Sequence, residues 1–245
     1  MENNLTRFER KYLIDKEQYY LLLGFTEGKI VENIETDYKI SNLYYDTENY
    51  DLIKSSINIP VYKEKLRLRT YESPGISIPA YIELKKKVDG LIYKKRFKTT
   101  LAEGLAFLGG GLCPVTSGKD ASVVREISRY LDKNDLSAKA LITYNREAWH
   151  GVSDPSLRVT FDTNIVYKDM NLGQNKTYTE MPLIEYDKMI MEIKTTGGIP
   201  IWLSKTLSEL EIFPTTFSKY ETAYKTYISD EPIDVDEEDL VGIGA

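Results

Sequence analysis

The sequence predicts an α+β fold, with about eight antiparallel strands closed into a β-barrel that forms a tunnel and helices packed outside it. Three observations carry this expectation. Eight segments alternate apolar and polar side chains with the two-residue period of a strand. Tyrosine is used 19 times in 245 residues, often beside β-branched residues, a combination that favours strands. Amphipathic helical stretches fall between several of the strands, and each needs an apolar sheet surface to cover.

Taken in order, a strand over 5–14 leads into a helix over 15–23, with Asp15 in place to cap it. Strands over 38–46, 62–72, 79–88 and 91–98 follow, with a helix over 48–56 after the first. Val88-Asp89-Gly90 joins the last two as a hairpin, because Asp-Gly readily adopts positive φ. Helices over 99–108 and 119–132 precede strands over 138–148, 156–167 and 183–195. Leucines recur at helical spacing in a helix over 201–211, with Pro200 at its start and Pro214 just past its end. A last helix over 218–228 opens on Ser218. Gly109-Gly110-Gly111 reads as a linker, since no Gly-Lys-Ser/Thr follows at phosphate-loop spacing.

Composition bounds the function. At 42% apolar and 29% charged residues, the chain can bury a real core. Cys113 is the single cysteine, so no disulfide forms within the chain, and a reducing, cytoplasmic setting is expected. Met1-Glu2-Asn3-Asn4 has no basic-then-apolar signal, and no run approaches the roughly 18 apolar residues of a membrane span. His150 is the only histidine, which excludes multi-histidine metal sites. Seven acids and no base fall between Asp230 and Asp239; removing seven negative charges from the net −6 leaves +1. The chain therefore divides into a domain over 1–229 and an acidic C-terminal tail over 230–245.

The strand faces carry the chemistry. Residues i and i+2 share a face, so Lys65, Arg67 and Arg69 point one way while Leu66 and Leu68 point the other. Glu83 and Lys85 alternate with Ile82 and Leu84, and Arg158, Thr160 and Asp162 alternate with Val159 and Phe161. Arg7, Glu9 and Lys11 share a face, as do Glu192 and Lys194. If the helices cover the apolar faces, the charged faces converge inward. Arginine is the residue suited to bidentate phosphate contacts. Cations crowded into a partly desolvated space cost several kcal/mol per uncompensated charge, and Glu9, Glu83 and Glu192 offset only part of that. Such a space binds a multiply charged anion, and a phosphate chain fits. Nucleic acid does not, because strand alternation divides Lys85-Lys86-Lys87 between two faces and leaves Arg10, Lys95 and Lys139 facing solvent.

Nine segments in order resemble the VTC-domain branch of the triphosphate tunnel metalloenzyme superfamily, the polyphosphate polymerases. They are Arg7-Phe8-Glu9-Arg10-Lys11-Tyr12, Ser41-Asn42-Leu43-Tyr44-Tyr45-Asp46-Thr47, Lys65-Leu66-Arg67-Leu68-Arg69-Thr70-Tyr71, Glu83-Leu84-Lys85, Tyr93-Lys94-Lys95-Arg96-Phe97, Tyr144-Asn145-Arg146-Glu147-Ala148, Leu157-Arg158-Val159-Thr160-Phe161-Asp162, Glu192-Ile193-Lys194 and Phe217-Ser218-Lys219-Tyr220. The resemblance implies a barrel that binds ATP, phosphate and polyphosphate with Mn²⁺ or Mg²⁺. It implies phosphate binding by Lys11, Arg67, Arg69, Lys85, Lys94, Arg146, Arg158, Ser218 and Lys219, with Lys219, Arg67 and Arg69 catalytic and Glu192 holding the metal. Members of the family often carry a lysine where Thr216 stands. A tripolyphosphatase or nucleoside triphosphatase, and a non-catalytic polyphosphate-binding module, are the alternatives.

Overall fold

The computed structural model describes residues 7–33, 38–59, 61–71, 78–89, 91–114, 116–170 and 179–229. The expected acidic tail lies outside the described residues. Strand β1 (Arg7–Asp15) leads into helix α1 (Lys16–Phe25), where Asp15 accepts from the Gln18 amide and closes a capping box. Next come β2 (Ile30–Glu32), β3 (Tyr38–Asp46), α2 (Asp51–Asn58), β4 (Tyr62–Tyr71), β5 (Pro79–Val88) and β6 (Leu91–Thr100). Helices α3 (Leu101–Leu108) and α4 (Gly118–Lys133) precede β7 (Ser137–Gly151), β8 (Arg158–Asp169), β9 (Met181–Pro182) and β10 (Lys188–Thr196). The chain continues through α5 (Ile201–Glu209), β11 (Pro214–Thr215) and α6 (Lys219–Ala223), which runs on as a π-helical turn over Tyr224–Ile228. Eight long strands stand near their expected positions, but the one expected over 183–195 begins only at Lys188, after a turn; β2, β9 and β11 are short additions.

All ladders are antiparallel, and the sheet runs β11-β1-β10-β8-β7-β3-β4-β5-β6. The expected closed barrel is therefore corrected: among the described residues β6 pairs only with β5, β11 pairs only with β1, and the sheet stays open between them. Two physical features keep it open. β11 is two residues long and begins with Pro214, which cannot donate to a ladder. β6 presents Lys94, Arg96 and Lys98 on one face of the free edge, and charged edges resist further pairing. The segment Phe217–Lys219 bridges distant strands by side-chain contacts instead. Lys11 on β1 donates to the Phe217 carbonyl, and Lys65 on β4 donates to Ser218 Oγ at 2.6 Å.

The outer faces carry two apolar cores. Leu66, Leu68, Ile82, Leu84 and Phe97 pack under α3 and α4; Tyr12, Val159, Phe161, Met191 and Ile193 pack under α1 and α5. The expectation that every helix lies outside is also corrected. Tyr220, Ala223 and Tyr224 pack against Ile40, Tyr44, Ile142, Tyr144, Ile165 and Ile190 on the concave face, so α6 plugs one end of it. Tyr44 and Tyr220 stack at 4.7 Å. A bulge in β8 makes this possible. Asn164, at φ 50°, lies where the β7–β8 register shifts, and it brings Ile165 and Tyr167 onto the face that Asp162 occupies. Lys139, expected to face solvent, is 1% exposed, with its ammonium 2.6 Å from Glu48 and 5.3 Å from the centre of the Tyr50 ring.

Candidate functional site

The end of the concave face that α6 leaves open holds a cavity of about 150 Å³. Its cations are Arg69, Lys94, Arg96, Arg146, Arg158 and Lys194, from five strands, and its carboxylates are Glu83 and Glu192. Antiparallel register sets these positions. Arg67 lies opposite Glu83, Lys94 opposite Lys85, Arg146 opposite Asp162, and Lys194 opposite both Arg158 and Glu9. Arg67, Arg158 and Glu192 are each flanked along the chain by two outward apolar residues, which fix the rotation of β4, β8 and β10.

Three buried carboxylates organise the cations. Glu83, 2% exposed, accepts from Arg67 Nε at 2.9 Å and Nη2 at 2.6 Å. Arg96 at 3.3 Å, Lys94 at 3.5 Å and Arg69 at 3.9 Å complete a ring around it. Burial alone pushes the Glu83 carboxyl up, but Arg67, Arg69 and Lys94 prevail and hold it at about 2. Asp162, 1% exposed, takes both Arg146 contacts at 2.6 and 2.7 Å and Lys219 Nζ at 2.6 Å. Desolvation opposes its charge; Lys219 and Arg146 outweigh it, and the carboxyl lies below its ordinary range. Glu192 meets Lys194 at 2.6 Å and Arg146 at 4.0 Å, and despite burial it is held low by Lys194 and Lys11. Ionised carboxylates thus fix the cations without neutralising the cavity.

The expected residues divide into groups. Arg69, Lys94, Arg146, Arg158 and Glu192 line the cavity; Arg67 lies behind Glu83 and also reaches Tyr44 Oη at 3.2 Å. Lys11 and Ser218 lie with Lys65 at the crossing segment. Burial lowers the pKa of Lys11, and lowers that of Lys65 to about 8. Ser218 occupies the N-cap position of α6 but makes no side-chain cap; its hydroxyl accepts from Lys65. Lys219 sits over the Tyr144 ring at 4.3 Å, held by Asp162. Lys85 is exposed and outside the cavity lining. The side chain of Arg7 lies outside the described residues.

Arg96 and Lys194 were not singled out as site residues from sequence, nor was Asp162 as the anchor of Lys219. The two-residue period held the signal for Arg96, since it shares a face with Lys94. Lys95 points outward and pairs with Glu126 on α4 at 3.1 Å, while His150 and Cys113 lie at the surface. Among the described residues, no three of His, Cys, Asp and Glu come together as a metal-binding group. Glu192 and Glu9 form an acidic pair, both in contact with Lys194. Such a pair fits Mg²⁺ or Mn²⁺ only with phosphate oxygens as further ligands, a coordination habit typical of Mg²⁺.

A family model described as the VTC domain matches residues 6–228. No curated protein matches the chain. Among solved structures, the chain is similar to a putative adenylate cyclase from Vibrio parahaemolyticus, at TM-score 0.41 and 11% identity, over 88% of this chain and 96% of that one. It is also similar to a putative adenylyl cyclase from Hippeastrum with a dominant triphosphatase activity, at TM-score 0.47 and 15% identity, over 88% and 93% of the two chains. The Mediator head module of Schizosaccharomyces pombe gives TM-score 0.34 and 9% identity over 90% and 95%.

Proposed function

The chain belongs to the VTC-domain family, and from that premise we propose that it is a polyphosphate polymerase transferring the γ-phosphoryl group of ATP to phosphate or polyphosphate. The observation that carries this reading is the cavity lined by six cations and two carboxylates. Anionic oxygens of a phosphate chain are the ligand class that satisfies such a surplus. Arginines take two oxygens at once, and lysines act as compact point charges.

A terminal oxygen of the acceptor forms a bond to the γ-phosphorus while the bond to the β-γ bridging oxygen breaks, and ADP leaves with that electron pair. The transition state is loose, so positioned charge does most of the catalysis. Arg69, Arg146 and Arg158 hold non-bridging oxygens, and Lys94 and Lys194 offset charge at the exposed side. Lys219 turns from Asp162 to the transferring phosphoryl group, while Asp162 stays paired with Arg146. A divalent cation, when bound, supplies further neutralisation of the bridging oxygens, and Glu192 with Glu9 would hold it. Acceptors, donor and products are all phosphate anions. The single, exposed Cys113 suits a reducing compartment such as the cytoplasm, and no helix among the described residues is long and apolar enough to cross a membrane.

The test is incubation with ATP and Mn²⁺, followed by a chain-length gel and an ADP measurement. Polymer plus ADP is expected from the unaltered chain and neither from Glu192→Gln or Lys219→Ala; full activity in the doubly substituted protein contradicts these roles. Tripolyphosphate cleavage without polymer would replace the reading by a hydrolase. Thr216, standing where relatives often carry lysine, favours one second reading, a polyphosphate-binding module that gains melting temperature with ligand but turns nothing over.

A further inference from the structure

The cavity has a second kind of wall that phosphate binding does not use. Tyr38 is the first residue of β3, Tyr71 the last of β4 and Tyr81 the third of β5, so all three lie at the same end of these antiparallel strands. Their rings form a continuous edge-to-face row, with centroids 5.1 Å apart for Tyr38–Tyr71 and 5.8 Å for Tyr71–Tyr81. The guanidinium carbon of Arg96 lies over the end of the row, 3.7 Å from the centre of the Tyr81 ring. Its Nε lies 3.3 Å from Glu83, which anchors it, and its side chain is 39% exposed. Tyr38, Tyr71 and Arg96 line the same cavity as the phosphate-gripping cations.

Tyr38 and Tyr71 rest one side on the apolar cluster of the concave face, yet all three rings stay partly open beside a polyanion site. Tyr81 lies beneath the partly exposed guanidinium of Arg96, and aromatic rings and guanidinium planes are the surfaces on which nucleobases stack. We propose that the row Tyr38–Tyr71–Tyr81–Arg96 is a stacking platform for the base of the nucleoside triphosphate donor. This deepens the polymerase reading and rests on it for the identity of the donor. The platform holds the nucleoside at the strand ends while the triphosphate reaches inward to Arg69 and Lys94, and it lets the site tell a nucleotide donor from the inorganic acceptor in the same groove. Acceptor chains, having no base, pass the row without contact.

The test compares ATP with ribose 5′-triphosphate, which carries the same phosphates and no base, by calorimetric titration of the full chain. ATP is expected to bind roughly tenfold more tightly, within the range of one base stack. Arg96→Lys keeps the charge beside Glu83 and removes the plane; Tyr71→Leu keeps bulk and removes a ring. Each is expected to shrink the ATP preference to twofold or less, whatever happens to the affinity shared by both ligands. Equal binding of the two ligands by the unaltered protein overturns the platform and leaves polymerisation intact. A preference that survives both substitutions also overturns it. A base preference without polymer formation supports the platform and contradicts the polymerase.

Discussion

Glu83 is the residue on which the cavity's electrostatics turn, because one buried carboxylate faces Arg67, Arg69, Lys94 and Arg96. Removing one partner of a buried ion pair costs about 3–5 kcal/mol, so Glu83→Gln should lower unfolding stability by that order in urea titration. Added polyphosphate should restore part of it. The sign of the pH effect follows from a carboxyl held at about 2 when folded and ordinary when unfolded. The contribution is complete above the unfolded value near 4.5 and fades as pH falls toward 2. The stability gap between the unaltered protein and Glu83→Gln should therefore narrow below pH 4.5.

Lys65 behaves oppositely, because burial brings its pKa down to about 8. Between about 8 and 10.5 the unfolded chain holds more protons at this site, so its contribution to stability rises with pH. A polyanion bound beside Lys65 restores its charge. Calorimetry in two buffers at pH 8 should report proton uptake on polyphosphate binding, and Lys65→Met should show less of it. The grouping of Lys65, Arg67 and Arg69 was legible from their spacing alone. The burial of Lys139 was not, since its partner Glu48 lies 91 residues away and no local pattern joins them.

At the level of elements, α6 links the apolar plug to the charged cavity. Tyr220 donates to Asp46 Oδ2 at 3.0 Å, and Asp46 also accepts from the Leu52 and Ile53 amides of α2. Tyr220→Phe keeps the stack on Tyr44 and loses one buried hydrogen bond, a loss of about 1 kcal/mol. Because Lys219 precedes Tyr220 in the helix, that change should also reduce turnover more than polyphosphate affinity. On the outer face, Ile82→Ala opens a cavity under α3 and α4 and should cost about 2–5 kcal/mol without altering the cation cluster. Strands and most helix positions were readable from periodicity. The plug was not: an apolar helical face states that it needs a sheet surface, and both faces of this sheet offer one.

For the molecule as a whole, closure was the misleading inference. Alternation shows which side chains share a face, whereas closure depends on whether the two edge strands meet. Pro214 and the two-residue length of β11 decide against it. The convergence of charge survives that correction, since the open, curved sheet still brings Arg69, Arg146, Arg158 and Lys194 around one cavity. Binding through several cations should weaken steeply with added salt. The most direct measurement is titration of long-chain polyphosphate into the protein at two salt concentrations, beside Arg69→Ala and Arg146→Ala. A gripping cavity predicts saturable, salt-sensitive binding that drops at least tenfold in each variant. Weak, unsaturable binding that is identical in all three proteins would contradict it.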